Sequence, residues 1–195
     1  MPRERNIEAA ADAIRSGELV VYPTETVYGL AADALDADAV ASVFEAKGRD
    51  RDKPVSLAVP AVEAVSEYTY PTALEEAFMD EFLPGPVTVL LERRESVPDV
   101  LTAGRDQVGI RVPDHEVALD LLEAVSPVTA TSANISGQPS ARRVDDLDEI
   151  VDAAAVVLDG GETDGTGSTV VDVEAGEIHR EGTGAEEIRA WLAER

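Results

Sequence analysis

The sequence contains no cysteine and only two histidines, His115 and His179. Without cysteine there is no disulfide framework, thiol nucleophile or Cys-ligated zinc, and two scattered histidines do not make a His-rich metal site. We therefore expect no metal site built from protein side chains alone. No apolar run approaches the roughly 20 residues that a membrane span needs, and the start MPRERNIEAA does not resemble a secretory signal. The expectation is a cytoplasmic protein without membrane contact.

Several familiar catalytic and nucleotide-binding motifs are also missing. The chain has no GxxxxGK[ST] phosphate loop and no convincing GxGxxG after a first strand with a ribose-binding acid downstream. The GxG at 165–167 precedes a predicted strand rather than a helix. There is no GxSxG and no Cys–His pair, so the sequence gives no support for a hydrolase triad.

Basic residues are scarce beside acidic ones. Forty Asp and Glu against sixteen Lys and Arg give a net charge of −24, which opposes the counterion release that drives binding to nucleic acid. The acidic residues are spread over every predicted helix, which is typical of the solvated surface of a protein from a high-salt cytoplasm. On such a background, each local cluster of positive charge requires an explanation.

The pattern of apolar residues predicts the fold class. Apolar residues make up 44% of the 195 residues and aromatics 4%, so one aliphatic core and one domain, 1–195, are expected. Helical spacing predicts helices at 6–15, 36–46, 72–82, 114–125, 144–151 and 185–193. Short apolar stretches predict strands at 19–22, 55–59, 87–91, 108–112, 128–130, 155–158, 169–173 and 177–180. Their alternation indicates an α/β domain, and the last two strands indicate a hairpin. We therefore expect a twisted mixed β-sheet with helices on its faces.

The segment YPTETVYGL, at 22–30, follows a predicted buried strand and is predicted to be a loop at that strand's end. Open α/β sheets bind ligands in such loops. Two threonines and a tyrosine offer hydroxyls that orient a small polar substrate without adding charge. An ordinary turn whose hydroxyls cap the next helix is the alternative, and the spacing does not separate the two.

The segment KGRDRDKP, at 47–54, contains both lysines of the chain. Four cations lie within seven residues: Lys47, Arg49, Arg51 and Lys53. A solvated face does not need so many, whereas a polyphosphate would use them to neutralise its charge. The alternative is local pairing with Asp50 and Asp52, and exposed pairs of that kind contribute only about 0.2–1 kcal/mol. We favour the phosphate interpretation.

Two further arginines interrupt predicted strands. Arg111 lies in VGIRVP and Arg180 in IHREG. An arginine in an apolar strand is costly to bury unpaired, so each is expected to face a carboxylate of the protein or of a ligand. The fork of Arg111 would suit the α-carboxylate of an amino acid. Core salt bridges are the alternative for both.

Two polar loops complete the candidate sites. TSANISG, at 131–137, follows a strand, and its hydroxyl and amide groups suit phosphate oxygens or a ribose. The alternative is a polar turn in which Ser132 or Asn134 caps a helix. The glycine-rich loop at 159–169 is either a flexible lid or a long surface connection.

Six motifs together resemble the YrdC family in their sequences and in their order along the chain. They are PTETVYGL at 23–30, KGR at 47–49, PGPVTVLL at 84–91, VGIRVPDH at 108–115, TSANISG at 131–137 and STVVD at 168–172. Each is moderately specific, but six in this order form a strong signal across roughly 17–182. Members of this family are L-threonylcarbamoyladenylate (threonylcarbamoyl-AMP) synthases, which consume L-threonine, bicarbonate or CO2 and ATP. The resemblance implies a YrdC-like fold and this nucleotidyltransferase activity.

The resemblance also implies roles for individual residues. Those expected on ATP are Lys47, Arg49, Lys53, Gln107, Ser132, Asn134 and Arg180, with Lys47 and Arg49 as the catalytic pair. Those expected to hold L-threonine are Thr26, Arg111, Thr131 and Ser168. Gln107 stands where the family often has a small hydroxyl residue. Asp50 replaces the proline of the family's KxRP, and Ala58 replaces a histidine that many members carry, so the threonine contacts are expected to differ in detail.

Further partners follow from the same resemblance. ATP is a substrate, Mg2+ is expected to arrive with its phosphates, and a tRNA threonylcarbamoyl transferase complex is expected to use the product on the adenosine next to the anticodon. A weak direct contact with tRNA is part of the expectation. The main rival is a module of the same fold that binds structured RNA without forming an adenylate, and its signature would be a steep loss of binding with salt.

Overall fold

The computed structural model describes residues 2–147 and 149–194, the side chains of 2–5 excepted. Within these residues the α-helices are α1 (Pro2–Arg15), α2 (Ala37–Lys47), α3 (Ala73–Phe82), α4 (Asp99–Thr102), α5 (Glu116–Ala124) and α6 (Ala185–Ala193). The strands are β1 (Leu19–Pro23), β2 (Tyr28–Ala31), β3 (Ser56–Ala58), β4 (Val87–Glu92), β5 (Gln107–Arg111), β6 (Val128–Ser132), β7 (Ala154–Val157), β8 (Thr169–Asp172) and β9 (Glu177–Arg180). Short 3-10 helices span Val62–Glu67, Val144–Asp146 and Glu149–Ala153.

These strands form one mixed sheet in the order β7-β1-β2-β6-β3-β5-β4-β8-β9. β1 is parallel to β7, β3 to β5 and β4 to β8. The other neighbours are antiparallel, including the β8–β9 hairpin. The predicted mixed α/β fold is therefore confirmed.

Side chains alternate along the central strands, because successive residues of a strand point to opposite faces of the sheet. On β4 and β5 the aliphatic positions Val87, Val89, Leu91, Val108 and Ile110 enter a core that also contains Phe78 and Met79 of α3 and Ile188 of α6. The intervening positions Thr88, Leu90, Gln107, Gly109 and Arg111 line a cavity instead. The two-residue period thus gives these strands one apolar face that packs into the core and one face that lines the cavity.

The other half of the sheet is covered on both sides. Val20 and Tyr22 of β1 pack with α1 and α5, whereas Val21 packs with Val43 of α2. Burial on both faces suits the continuous apolar run of β1.

Local signals fix the end of α2, which leads into the segment 47–54. Asp36 caps the start of the helix by accepting hydrogen bonds from the backbone N–H groups of Asp38 and Ala39. Gly48 ends it in the left-handed region, with φ 55, a conformation that glycine adopts without a Cβ penalty. The chain therefore turns sharply after Lys47, the last residue of the helix.

Two sequence predictions were wrong. The segment 22–30 is not simply a loop, because β2 pairs with both β1 and β6, which leaves residues 24–27 as the turn of a hairpin. The predicted helix at 144–151 is replaced by the two last 3-10 helices, with Asp148 outside the described residues. Leu147, the residue after the first of these two, and Ile150, in the second, are both buried. No helix in the described part of the chain is long and apolar enough to cross a membrane.

Candidate active site

A cavity of about 390 Å³ opens on the face of β3, β4, β5 and β8 that is turned away from the α3–α6 core. The turn between β1 and β2, the end of β6 and the β8–β9 hairpin close its sides. Eight predicted site residues line it: Thr26, Arg49, Gln107, Arg111, Thr131, Ser132, Ser168 and Arg180. Lys47, Lys53 and Asn134 lie off the cavity wall. The structure thus brings together residues from five separated motifs.

Arg111 forms a buried ion pair with a residue that the sequence reasoning did not select. Its Nη2 donates a hydrogen bond to Glu25 Oε1 at 2.5 Å, and the side chains are only 9% and 16% exposed. The other carboxylate oxygen, Glu25 Oε2, is buried without a hydrogen-bond partner. The predicted alternative, a protein salt bridge, is therefore present, although Arg111 also faces the cavity. An acidic residue in the PTET turn was the signal that could have identified Glu25.

Ser168 and Arg180 are joined at the start of the β8–β9 hairpin. Arg180 donates from Nε to the Ser168 carbonyl (3.1 Å) and from Nη2 to Ser168 Oγ (2.9 Å). Ser168 Oγ also lies 2.9 Å from Thr88 Oγ1. Partial burial lowers the pKa of Arg180, and the guanidinium groups of Arg111 and Arg49 lower it further. Three arginines are therefore close enough around one cavity to repel one another.

Arg49 reaches the same cavity from the turn after α2. Its Nε donates to the Lys53 carbonyl and its Nη2 to the Pro54 carbonyl, both at 3.0 Å. Burial lowers the pKa of Arg49. Within residues 2–147 and 149–194, neither Arg49 nor Arg180 has a carboxylate within salt-bridge distance. The cavity therefore carries positive charge that an anionic ligand would neutralise.

The two lysines of the 47–54 segment have opposite environments. Lys47 is 1% exposed, and its Nζ donates to the Ser132 carbonyl, to the Asn134 carbonyl (2.8 Å) and to Asn134 Oδ1 (3.3 Å). Burial, with a smaller contribution from Arg49, lowers the pKa of Lys47 to about 8. Lys53 is exposed and pairs with Asp50 at 2.7 Å, which is the local pairing considered as the alternative for this segment.

The turn after β6 has an internal hydrogen-bond network. Ser132 Oγ donates to Asn134 Oδ1 at 2.5 Å. The Asn134 amide donates to the carbonyls of Ile135 (3.0 Å) and Gln138 (2.7 Å). Ser132 faces the cavity while Asn134 is engaged within the turn, so neither caps a helix.

Gln107 and the glycine-rich loop lie at the edges of the cavity. Exposed Gln107 donates from Nε2 to Asp172 Oδ2 at 3.0 Å. The loop at 159–168 is attached through the Tyr28 hydroxyl, which donates to the Gly161 carbonyl at 2.8 Å. The Gly165 N–H also donates to the Thr26 carbonyl at 2.7 Å. Tyr28 therefore holds this loop and does not line the cavity.

Small residues on the cavity floor bring polar side chains into reach. A Cβ on Gly109 would lie 2.5 Å from Ser56 Oγ and 2.9 Å from Thr88 Cγ2. A Cβ on Gly29 would lie 2.8 Å from the ring of Tyr22, a phenol whose pKa burial raises to about 12. Ser56 and Thr88 were not predicted as site residues, and the strand alternation alone would have placed them on this face.

The described residues offer no cluster of three or more His, Asp or Glu side chains that could hold a metal ion. The positive charge of the cavity comes from arginines instead. The arginines and hydroxyl side chains of the cavity suit an anionic, hydroxyl-bearing ligand.

Known proteins resemble this chain over most of its length. The Sua5/YciO/YrdC family model, described as "Telomere recombination", matches residues 12–182. The chain is 45% identical over 175 residues to the threonylcarbamoyl-AMP synthase of Pyrococcus abyssi, covering 87% of this chain and 51% of that protein. It is 35% identical over 178 residues to a putative threonylcarbamoyl-AMP synthase of Methanocaldococcus jannaschii, covering 90% of this chain and 84% of that protein.

Among solved structures, Pyrococcus abyssi Sua5 in complex with L-threonine superposes with a TM-score of 0.86 at 40% identity. The match covers 95% of this chain and 57% of that one, so the chain spans little more than half of the Pyrococcus protein. The family model and the two relatives agree over most of the present sequence, and the chain belongs to the Sua5/YciO/YrdC family.

Proposed function

We propose that the protein is an L-threonylcarbamoyladenylate synthase, which makes threonylcarbamoyl-AMP and diphosphate from L-threonine, bicarbonate or CO2, and ATP. The observation that carries the proposal is the cavity on which Arg49, Arg111 and Arg180 converge, where, within the described residues, Glu25 is the one carboxylate that pairs with any of the three. Two anionic groups, a carboxylate and a polyphosphate, would balance those charges.

The amino-acid end of the cavity is placed at Arg111. The guanidinium offers a planar fork that matches a carboxylate, and Thr26, Thr131 and Ser168 surround it with hydroxyl groups on the same cavity. These hydroxyls are suited to the amino and hydroxyl groups of threonine. The threonine complex of the Pyrococcus protein, which has the same fold, supports this choice of substrate.

The nucleotide end is placed at Arg49 and Arg180, with Ser132 and Gln107 beside them. Arginine neutralises phosphate charge while donating directed hydrogen bonds. Lys53 is exposed on the same segment and would join the phosphates only by leaving Asp50. Mg2+ would arrive on the ATP phosphates, since the described residues contain no cluster of three or more His, Cys, Asp or Glu that could hold it.

The chemistry fits a site without a protein nucleophile. The threonine amine attacks CO2 and loses a proton to give a carbamate. A carbamate oxygen then attacks the α-phosphorus of ATP, the bond to the β-phosphate oxygen breaks, and diphosphate leaves. If bicarbonate is the carbon source, one water is released in balance. Such a displacement depends on positioning and charge neutralisation, which the arginines and hydroxyls of this cavity provide.

The product defines the partner. Threonylcarbamoyl-AMP is a reactive mixed anhydride, so a transferase must accept the threonylcarbamoyl group before water does. We place the protein in the cytoplasm, upstream of a tRNA threonylcarbamoyl transferase complex. Direct binding of tRNA would be weak at most, because a net charge of −24 opposes it.

The test is to incubate the purified protein with ATP, L-threonine and bicarbonate and to measure diphosphate and the adenylate. Diphosphate release that requires all three components, with 14C from bicarbonate in the nucleotide product, is expected. Release that continues without threonine would indicate a plain nucleotide hydrolase and overturn the proposal. Salt-sensitive RNA binding without adenylate formation would favour the RNA-binding module instead.

A further inference from the structure

Lys47 has all of its hydrogen-bonding capacity used inside the protein. An ammonium group has three N–H donors and no acceptor, and Lys47 Nζ has three oxygen acceptors in the turn after β6, two on Asn134 and one on Ser132. The side chain is 1% exposed and does not belong to the cavity wall. In this geometry no donor is left for a phosphate.

The main chain of Lys47 holds the same turn from a second point. Lys47 is the last residue of α2, where backbone carbonyls lack helical partners. Its carbonyl accepts a hydrogen bond from the Ser136 N–H at 2.8 Å. The turn is therefore attached to the end of α2 at both its beginning and its end.

Asn134 completes this arrangement from within the turn. Its amide nitrogen donates to two carbonyls, Ile135 and Gln138, and its Oδ1 accepts from both Lys47 Nζ and Ser132 Oγ. Thr131 and Ser132, in contrast, face the cavity. The residues that reach the cavity and the residues that support them are thus different members of one network.

We propose that Lys47 and Asn134 are positioning residues: they fix the turn after β6 so that Thr131 and Ser132 meet the substrates, and Lys47 does not itself touch the ATP phosphates. This inference rests on the proposed function and changes the role that the KGR motif suggested for its lysine. It leaves Arg49 as the phosphate-contacting cation of that motif.

The first measurement needs no substrate. Lys47→Met keeps the length of the side chain but removes the three donors, so amide hydrogen exchange at 133–138 should accelerate while the rest of the sheet is unchanged. Arg51→Met is the matched control, because it removes one positive charge from the same segment at an exposed pair with Glu45. Unchanged exchange at 133–138 in Lys47→Met would overturn the proposal. If Lys47→Met does not fold, Asn134→Ala tests the same turn with the lysine in place.

The second measurement separates positioning from phosphate contact by a double-mutant cycle on ATP affinity. Lys47→Met should weaken ATP binding roughly 10-fold or more, and adding Ser132→Ala should then change it less than about twofold, because Ser132 is already displaced. In an Arg49→Ala background, Ser132→Ala should keep its full effect. An equal effect of Ser132→Ala in wild type and in Lys47→Met would show that Lys47 acts independently of the turn, and the proposal would fail.

The two proposals fail in different ways. A wild-type protein that makes no threonylcarbamoyl-AMP would remove the proposed function, whereas the exchange experiment would still decide whether Lys47 holds the turn. A protein that makes the adenylate but shows an additive cycle would keep the function and lose the positioning role. The Michaelis constant for threonine provides a further check: Lys47→Met should raise it as well as that for ATP, because Thr131 of the same turn faces the cavity, whereas loss of a phosphate contact alone would leave it unchanged.

Discussion

Two buried cations at the cavity have different hydrogen-bond partners. Arg111 is paired with the carboxylate of Glu25 and still faces the cavity. Lys47 is surrounded by neutral oxygens of Ser132 and Asn134 and lies behind the cavity wall. When a buried ion pair loses one partner, the protein is strongly destabilised because the other charge is left buried and unpaired. A buried charge that contacts only neutral dipoles still carries a desolvation penalty. The comparison predicts different responses to substitution, ligand and pH.

The largest effect is expected for Arg111→Ala. The change leaves Glu25 buried without its partner, which costs about 3–5 kcal/mol of stability. It also removes the guanidinium that would bind the carboxylate of threonine. Thermal melts and threonine titrations measure the two losses. Glu25→Gln in the Arg111→Ala background should recover much of the melting temperature without restoring threonine use.

Arg111→Lys separates the two roles of this residue. It keeps the charge but loses the fork, so the Michaelis constant for threonine should rise strongly while ATP binding stays nearly unchanged. A large fall in melting temperature with intact threonine affinity would make Arg111 purely structural.

Arg49→Ala is expected to have the next largest effect, confined to the nucleotide. Loss of a charged donor to phosphate should cost roughly 10- to 100-fold in ATP affinity and nearly abolish adenylate formation. The fold should persist, since the hydrogen bonds of Arg49 in the protein go to two carbonyls of its own segment. Normal turnover in this variant would remove the phosphate assignment.

The motifs predicted residues that line the cavity better than they predicted the contacts among those residues. The order of short strands and helices was enough for the α/β fold, and alternation explains why Gln107 and Arg111 share a face. The pairing of Arg111 with Glu25 joins residues that are far apart in the sequence, and no local pattern encodes it. The burial of Lys47 depends on the turn after β6, 85 residues away. A cluster of cations in a sequence therefore does not reveal which members face the ligand.

The two lysines should titrate far apart. Burial lowers the pKa of Lys47 to about 8, and the hydrogen bond and charge of Asp50 raise the pKa of Lys53. Because the chain has only these two lysines, 13C labelling at Cε gives two resonances, one expected to titrate near pH 8 and the other above the usual lysine range. Two overlapping titrations would contradict the buried position of Lys47.

The same difference has a consequence for stability. The pKa of Lys47 is lower in the folded protein than the ordinary lysine value of 10.5. Between these values the unfolded chain binds more protons than the folded one, so the contribution of Lys47 to stability rises as pH increases from about 8 toward 10.5. Melting temperatures of wild type minus Lys47→Met should show this rise. A flat difference would mean that the three hydrogen bonds offset the cost of burying the charge.

The smallest effect is expected for Lys53→Ala. Lys53 and Asp50 form an exposed pair, and such pairs contribute little to stability because water and salt screen them. The melting temperature should therefore hardly change. Because Lys53 would reach the ATP phosphates only after leaving Asp50, its removal should raise the Michaelis constant for ATP by less than Arg49→Ala does.

Asp50→Ala is the matched variant: if Lys53 joins the phosphates, freeing it from its partner should strengthen ATP binding slightly. A loss of ATP affinity in Lys53→Ala as large as that in Arg49→Ala would show that the exposed end of the segment closes over the nucleotide. The contrast between the buried and exposed lysine would then hold only for the protein without its substrate.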